Sequence, residues 1–307
     1  MVEGRDEEPE PSRLGYGIFE RLSGRNITKQ RRQYHVTEQE NSHSGSSLGL
    51  VHHSQTHKGD RTYNEDAYCH ARDKNIVSFA VADGMGGAAG GLQASHLAMQ
   101  AVRTSPLTIE SEAFNDQLLA ISEVIQVEQL ANPKHGSMST TVAELRIDTY
   151  AQKAIWGHWG DSRVYWFRAK ELVSMTMDHS VVQSLVSAGL LSLDEAKTYP
   201  QKNILLGAAG ANSEVGPEVL NQPIDISTED AFLLCTDGVW NCLGPEEIEK
   251  SLRQSSSVQD WISDLMALVD RSDQGPNDNF TATGIWITSD SEQTLLLKRE
   301  PKEDGSR

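Results

Sequence analysis

The chain has 307 residues, 37% of them hydrophobic, enough for one large domain with a sizeable core. With 44 acidic residues against 27 basic, its formal net charge of −17 argues against non-specific binding to nucleic acid or anionic membranes and suits carboxylates clustered around cations. Cys69, Cys235 and Cys242 form no Cys-x-x-Cys pair and cannot all pair with one another, no apolar run reaches bilayer-spanning length, and no apolar leader opens the chain; the expected location is a reducing cytoplasm.

Residues 1–47 are polar, with Glu/Pro at the start and a basic cluster at Lys29-Gln30-Arg31-Arg32. They read as a disordered extension in which Tyr16-Gly17-Ile18-Phe19 is a short apolar patch, and residues 290–307 read as a solvated polar tail. One domain is expected over 48–289. Gly49-Leu50-Val51 opens a strand that runs into His52, His53 and His57, for which no Cys or further His stands at a zinc-binding spacing. The loop Arg61-Thr62-Tyr63-Asn64-Glu65-Asp66 then leads to a strand at 67–70. On extended chain Glu65 and Asp66 face opposite ways. Arg61 fits two readings, a fork for phosphate oxygens or an ion pair with neighbouring acids.

The apolar run 76–82 ends in Asp83-Gly84-Met85-Gly86-Gly87. A buried strand that delivers a carboxylate to a tight glycine loop, where a backbone carbonyl can also approach an ion, suits a hard divalent cation; a plain Asp-Gly turn is the alternative. Residues 90–102 and 112–129 read as helices, the second with Phe114, Leu118, Ile121, Ile125 and Leu130 on one apolar face. Alternation over 139–147 predicts a strand, and 154–168 reads as strand, Gly160-Asp161 turn, strand, that is, a hairpin. Ser162 has no base placed beside it and is a poor nucleophile.

Asp178-His179-Ser180 caps a short helix over 181–188, and Ser192-Leu193-Asp194-Glu195 is a capping box for another, which makes about 180–203 a small helical flap. Residues 231–238 repeat the design seen at Asp83, an apolar strand ending in Asp237-Gly238. Helices at 245–254 and 258–269, a turn at 275–280 around Asp278 and a last strand at 281–288 complete the domain.

Asp83, Asp237 and Asp278 thus stand at strand-loop junctions with an acidic pair and an arginine upstream, a set suited to a shared metal site for phosphoryl chemistry. At this point the chain resembles the metal-dependent protein serine/threonine phosphatases of the PPM (PP2C) family, and its bacterial branch in particular. The matching motifs, in family order, are Arg61-x-x-Asn64-Glu65-Asp66, Asp83-Gly84-Met85-Gly86-Gly87, Gly136-Ser137-Met138-Ser139-Thr140-Thr141, Gly160-Asp161-Ser162-Arg163, Asp178-His179-Ser180, Asp237-Gly238-Val239-Trp240 and Asp278-Asn279.

The resemblance implies an α+β fold, a central β-sandwich of two antiparallel sheets flanked by helices. It implies hydrolysis of phosphoserine and phosphothreonine in proteins, opposing a serine/threonine kinase, by a water activated between two Mg2+ or Mn2+ ions about 4 Å apart. Asp83 would bridge the ions, the Gly84 carbonyl would join one, and Asp237 and Asp278 the other. Glu65 and Asp66 would hold water in the ion shells, and Arg61 the substrate phosphate. Asp161 would hold a third, weaker ion. The chain departs from the family pattern in three places. Met85 stands where many relatives carry a histidine acid, Asn241 where an Asp usually pairs with the Asp161 position, and 203–210 lack an arginine usual there. Asn241 and the missing arginine motivate a rival reading, a regulatory or scaffold protein on the same fold with weak or no catalysis.

Overall fold

The computed structural model describes residues 47–87, 90–213, 215–272 and 278–289. The extension expected over 1–47, apart from Ser47, the tail expected over 290–307, and residues 275–277 of the 275–280 turn lie outside the described residues.

The chain runs β1 (Leu48–His57), β2 (Ala67–Asp73), β3 (Ile76–Ala82), β4 (Gly84–Met85), α1 (Gly90–Thr104), α2 (Ser111–Ala131), β5 (Ser139–Thr140), β6 (Val142–Asp148) and β7 (Lys153–Trp159). It continues with β8 (Arg163–Arg168), β9 (Glu171–Met175), α3 (Val181–Ser187), α4 (Leu193–Lys197), β10 (Glu218–Val219), β11 (Ile224–Asp225), β12 (Asp230–Cys235), α5 (Asp237–Trp240), α6 (Pro245–Gln254), α7 (Val258–Asp270) and β13 (Phe280–Ser289). One antiparallel sheet has the order β1-β13-β12-β8-β9 and the other β10-β7-β6-β3-β2, with β11 also on β7; β4 and β5 form a separate ribbon.

Strands buried on both faces explain the layering, because each needs one apolar side for the facing sheet and another for helices. Phe79, Val81, Leu145, Trp156, Phe232, Leu234 and Ile285 fill the space between the sheets. On the outer side of the second sheet, Ala80, Ala82 and Ile155 pack under Ala94, Met99, Phe114, Leu118 and Ile125 of α1 and α2. On the outer side of the first, Tyr165, Phe167 and Leu233 pack under Ile248, Leu252, Trp261 and Leu265 of α6 and α7. The fold is therefore the expected α+β sandwich with helices on both outer faces.

Two local expectations are corrected. The segment 154–168 is no hairpin: β7 pairs with β6 in one sheet, β8 with β12 and β9 in the other, so Gly160-Asp161-Ser162 is the passage between sheets. Gly160 takes φ +105°, and a Cβ there would press on Thr141 Cγ2 at 2.7 Å, which only glycine avoids. Leu130 does not share the buried face of α2; it is 85% exposed, because five residues after Ile125 it stands about 140° around the helix from it. In the same region Glu144 and Arg146, the polar side of β6, are buried rather than solvated. Arg146 pairs with Glu144 at 2.7 Å, bonds Gln117 at 2.7 Å and lies 3.7 Å over the Phe114 ring.

Candidate metal centre

The apolar run of β3 ends at Ala82, and the next residue is fixed on both sides. The Asp83 N–H donates to Thr141 Oγ1 (2.9 Å), and its carbonyl accepts from Thr140 Oγ1 (2.8 Å) and Thr141 N–H (2.9 Å). With its backbone satisfied by the β5–β6 junction, the carboxylate is left to project into the cleft. Gly84 and Gly91 then let α1 close on this loop. A Cβ on Gly84 would collide with the Gly91 carbonyl, and one on Gly91 would stand 2.5 Å from Gly84 O and 2.6 Å from Glu65 Oε1. The Gly84 carbonyl and the Glu65 carboxylate therefore share a space that a larger residue would fill.

Asp66 stands at the mouth of β2, across the sandwich from β12 and β13. Its Oδ2 accepts from Thr236 Oγ1 (2.8 Å) and Thr281 Oγ1 (2.7 Å), so the two sheets are joined through one carboxylate. Glu65, its neighbour, turns the other way, toward the start of α1, where the Leu92 N–H donates to it. Asp237 opens α5 immediately after β12. Its Oδ2 accepts from Asn241 Nδ2 at 3.1 Å, one turn further along. Asp278 Oδ2 receives Arg61 Nη2 at 2.8 Å, with side chains 41% and 55% exposed respectively. Arg61 is thus an ion-pair partner of a candidate ligand at the rim of the cleft.

Asp161, carried by the passage between sheets, is buried, and its carbonyl accepts from Trp240 Nε1 at 2.8 Å. Arg163 sits behind it, donating from Nε and Nη2 to the two oxygens of Asp178 at 2.7 Å each, while its guanidinium lies 3.7 Å over the Trp240 ring.

Burial and mutual repulsion act together on these acids. Desolvation, then the charges of Asp237, Asp66, Asp161 and Asp278, hold the Asp83 carboxyl well above the usual range. Desolvation pushes Asp66 up to about 7, against the two threonine hydroxyls, and pushes Asp237 up to about 6 with help from Asp278. Asp161 is raised by burial, then by Asp237 and Asp178, with Arg163 opposing.

Glu65 Oε1, Asp66 Oδ1 and Asp237 Oδ1 are buried with no hydrogen-bond partner. Buried acceptors left in that state are costly unless something else meets them, and a divalent cation with its bound water is a group that would meet them. Among the described residues no three of these carboxylates bring oxygens within 4.8 Å of one another. That spacing suits hard ions that keep several waters in their shells.

A sandwich whose strand ends gather unneutralised acids in this way defines a class of protein, one built around hard divalent cations. The family described as Protein phosphatase 2C matches over residues 54–279, and the chain belongs to that family. It is 29% identical over 237 residues, 75% of this chain and 94% of the relative, to the protein phosphatase PhpP of Streptococcus pneumoniae. Among solved structures it is similar to the S. agalactiae serine/threonine phosphatase, with TM-score 0.69, 28% identity and coverage of 78% and 99% of the two chains. It is also similar to the catalytic domain of the phosphatase PstP in complex with two manganese ions, with TM-score 0.68, 27% identity and coverage of 79% and 100%.

Several supporting residues hold the site through contacts that the sequence does not reveal. Asn279, part of the Asp278-Asn279 motif, is the clearest. Its Oδ1 accepts from Glu65 N–H (2.8 Å), and its Nδ2 donates to Lys58 O and Tyr63 O (2.9 Å each), so it fastens the loop that carries Arg61 and Glu65 beside Asp278. Its place next to a candidate ligand was the available hint. Thr236 and Thr281 look like ordinary strand residues until the sheets are stacked. Ser162 is buried and bonds Thr141 Oγ1 at 2.6 Å, a structural role that agrees with its lack of a base.

Proposed function

We propose that this chain hydrolyses phosphoserine and phosphothreonine monoesters in proteins, in the cytoplasm and opposite a serine/threonine kinase, with two Mg2+ or Mn2+ ions as cofactors. The observation that carries the reading is the set of buried, unpartnered carboxylate oxygens on Glu65, Asp66 and Asp237, beside an Asp83 raised by burial and by the charges of Asp237, Asp66, Asp161 and Asp278. Asp83, the Gly84 carbonyl, Asp237 and Asp278 would hold the ions, with Asp161 toward a third, weaker one. When bound, the ions would neutralise the phosphate dianion and acidify a water for in-line attack on phosphorus.

The chain's own groups do the rest. Thr140 and Thr141 fix the backbone of Asp83, and Thr236 with Thr281 holds Asp66 by Oδ2, leaving Oδ1 without a hydrogen-bond partner. Glu65 and Asp66 would orient water as acceptors. Arg61 would leave its exposed pair with Asp278 to receive the substrate phosphate, a charge-assisted contact that its planar fork favours. Met85 offers no proton, so the leaving alkoxide would take one from water or another group. A scaffold without catalysis has Asn241 in its favour, yet it leaves mutually repelling acids without a purpose. No helix among the described residues is long and apolar enough to cross a membrane.

Phosphate release from a phosphothreonine peptide with Mn2+, Mg2+ or EDTA tests the proposal. Activity is expected with either ion and none with EDTA; EDTA-resistant turnover would overturn the metal assignment.

A further inference from the structure

We propose that His158, His179 and Glu218 form a transition-metal site, of the kind that takes Zn2+, at the root of the flap. β7 pairs with β10 so that Glu218 lies directly opposite His158, and His179 comes from the segment just ahead of α3. The two imidazole rings lie 4.4 Å apart between centroids, His179 Nε2 is 3.8 Å from Glu218 Oε2, and one ligand atom from each of the three residues falls within 4.8 Å of the others. A tetrahedral ion with bonds of about 2.05 Å spaces its ligands at about 3.4 Å, so side-chain rotation at the exposed Glu218 is the main adjustment required.

The hydrogen bonds define which nitrogens are offered. His158 Nε2–H donates to Met177 O at 2.8 Å, leaving Nδ1 with the lone pair; a ligating histidine held through its other nitrogen by a carbonyl is the usual arrangement around zinc. Burial, then the neighbouring His179, pushes His158 down to about 4, which keeps that lone pair open at neutral pH. His179 Nδ1 accepts a long bond, 3.3 Å, from Gly160 N–H. An ion on Nε2 moves the ring proton to Nδ1, where it would oppose the Gly160 N–H, so this contact is lost and the two groups must part for the ion to bind. Two imidazoles and one carboxylate suit Zn2+ or Co2+ and are a poor match for Mg2+, which prefers an all-oxygen shell.

The place of the site suggests what it does. The His179 N–H donates to Gly160 O and its carbonyl accepts from Leu206 N–H, while Ser180 bridges Leu205. An ion held by His179 therefore ties β7 and β10 to the chain both entering and leaving the flap, and restricts the flap's movement.

The test uses the full chain with Mg2+ saturating the carboxylate cleft and Co2+ as probe. Four-coordinate Co2+ with nitrogen ligands absorbs far more strongly in the visible than a six-coordinate oxygen-ligated ion. One strongly absorbing Co2+ per chain, displaced by Zn2+, is expected. Glu218→Gln and His179→Gln should each weaken it at least about tenfold, the loss that even outer partners of a metal site commonly produce. Glu218 is 71% exposed, so Glu218→Gln reports on binding without a folding defect. Tryptic cleavage after Lys202 should slow when Zn2+ is bound to the wild type and not in Glu218→Gln. Absence of the intense bands under saturating Mg2+, or bands unchanged in Glu218→Gln, would overturn the site.

Discussion

Arg61 and Asn241 each meet a candidate ligand through a polar bond, and both alter what substitution should do. Arg61 is a cation placed on Asp278, so it competes with an ion for that carboxylate while standing ready for a phosphate. Exposed pairs of this kind are worth at most about 1 kcal/mol, a small obstacle to exchange. Arg61→Ala is therefore expected to raise KM and weaken inhibition by inorganic phosphate about tenfold or more, with metal affinity equal to or slightly tighter than wild type. Unchanged KM and phosphate inhibition would reduce Arg61 to its ion pair. Asn241 differs because its amide donates to Asp237 at 3.1 Å, doing for one oxygen what a cation would do. Asn241→Asp replaces an attraction with a repulsion, so the metal-free protein should lose stability. In exchange, the rise of activity at high metal should shift to lower concentration if Asp161 holds a third ion. Calorimetry in EDTA and a metal titration read the two effects separately, and an identical metal dependence would remove Asn241 from the ion's surroundings.

At the scale of elements, the passage from β7 to β8 is where local pattern and tertiary structure part. Alternating apolar residues around Gly160-Asp161 satisfy the rules for a hairpin, and nothing within fifteen residues reveals that the second strand joins the other sheet. The partners that decide it, β6 and β12, lie at a distance in sequence. Helices α6 and α7 and the Ser192 capping box were legible because their signals are local; Ser192 does accept from Glu195 N–H, and Glu195 reaches back to Ser192 N–H. The acids at strand ends were legible for the same reason. Their supports were not, since Asn279 meets Glu65 across 214 residues and Thr281 meets Asp66 across 215. Two substitutions test the passage. Gly160→Ala forces a side chain onto φ +105° against Thr141 and should cost about 1–3 kcal/mol, with turnover falling further than stability because Asp161 is displaced. Arg163→Lys keeps the charge but loses the fork on Asp178 and the face on Trp240. It should loosen the flap to proteolysis while leaving binding at Asp83 and Asp237 nearly intact; equal protease resistance would show that Arg163 holds no such coupling.

For the molecule as a whole, the sandwich is held by three apolar layers and opposed at one end by its own acids, so stability and metal binding are linked through charge. In the unfolded chain the carboxyls release their protons near pH 4, whereas in the metal-free fold Asp66 and Asp237 hold theirs to about 7 and about 6. Between those limits these acids bind more protons in the folded state than in the unfolded one and so make stability fall as pH rises from about 4 toward 7; Asp83 and Asp161, also raised, extend the decline, and His158, lowered to about 4, opposes it at the acid end. Each tenfold change in proton affinity is worth about 1.4 kcal/mol, so the decline is large enough to read in Tm. A divalent cation takes the place of the protons. It binds best once the acids are ionised, so Mg2+ or Mn2+ should raise Tm more at pH 8 than at pH 5 and flatten or reverse the decline seen in EDTA. Asp83→Asn removes the acid that faces four others. It should lessen the decline in EDTA, raise Tm at pH 8 without metal, and abolish both turnover and the stabilisation by Mn2+. Thermal unfolding at the two pH values, with EDTA and with Mn2+, measures all of this in one set of samples. A metal-free Tm that rises from pH 5 to pH 8, or an Asp83→Asn protein still stabilised by Mn2+ as the wild type is, would mean that the buried acids are not the ion's ligands.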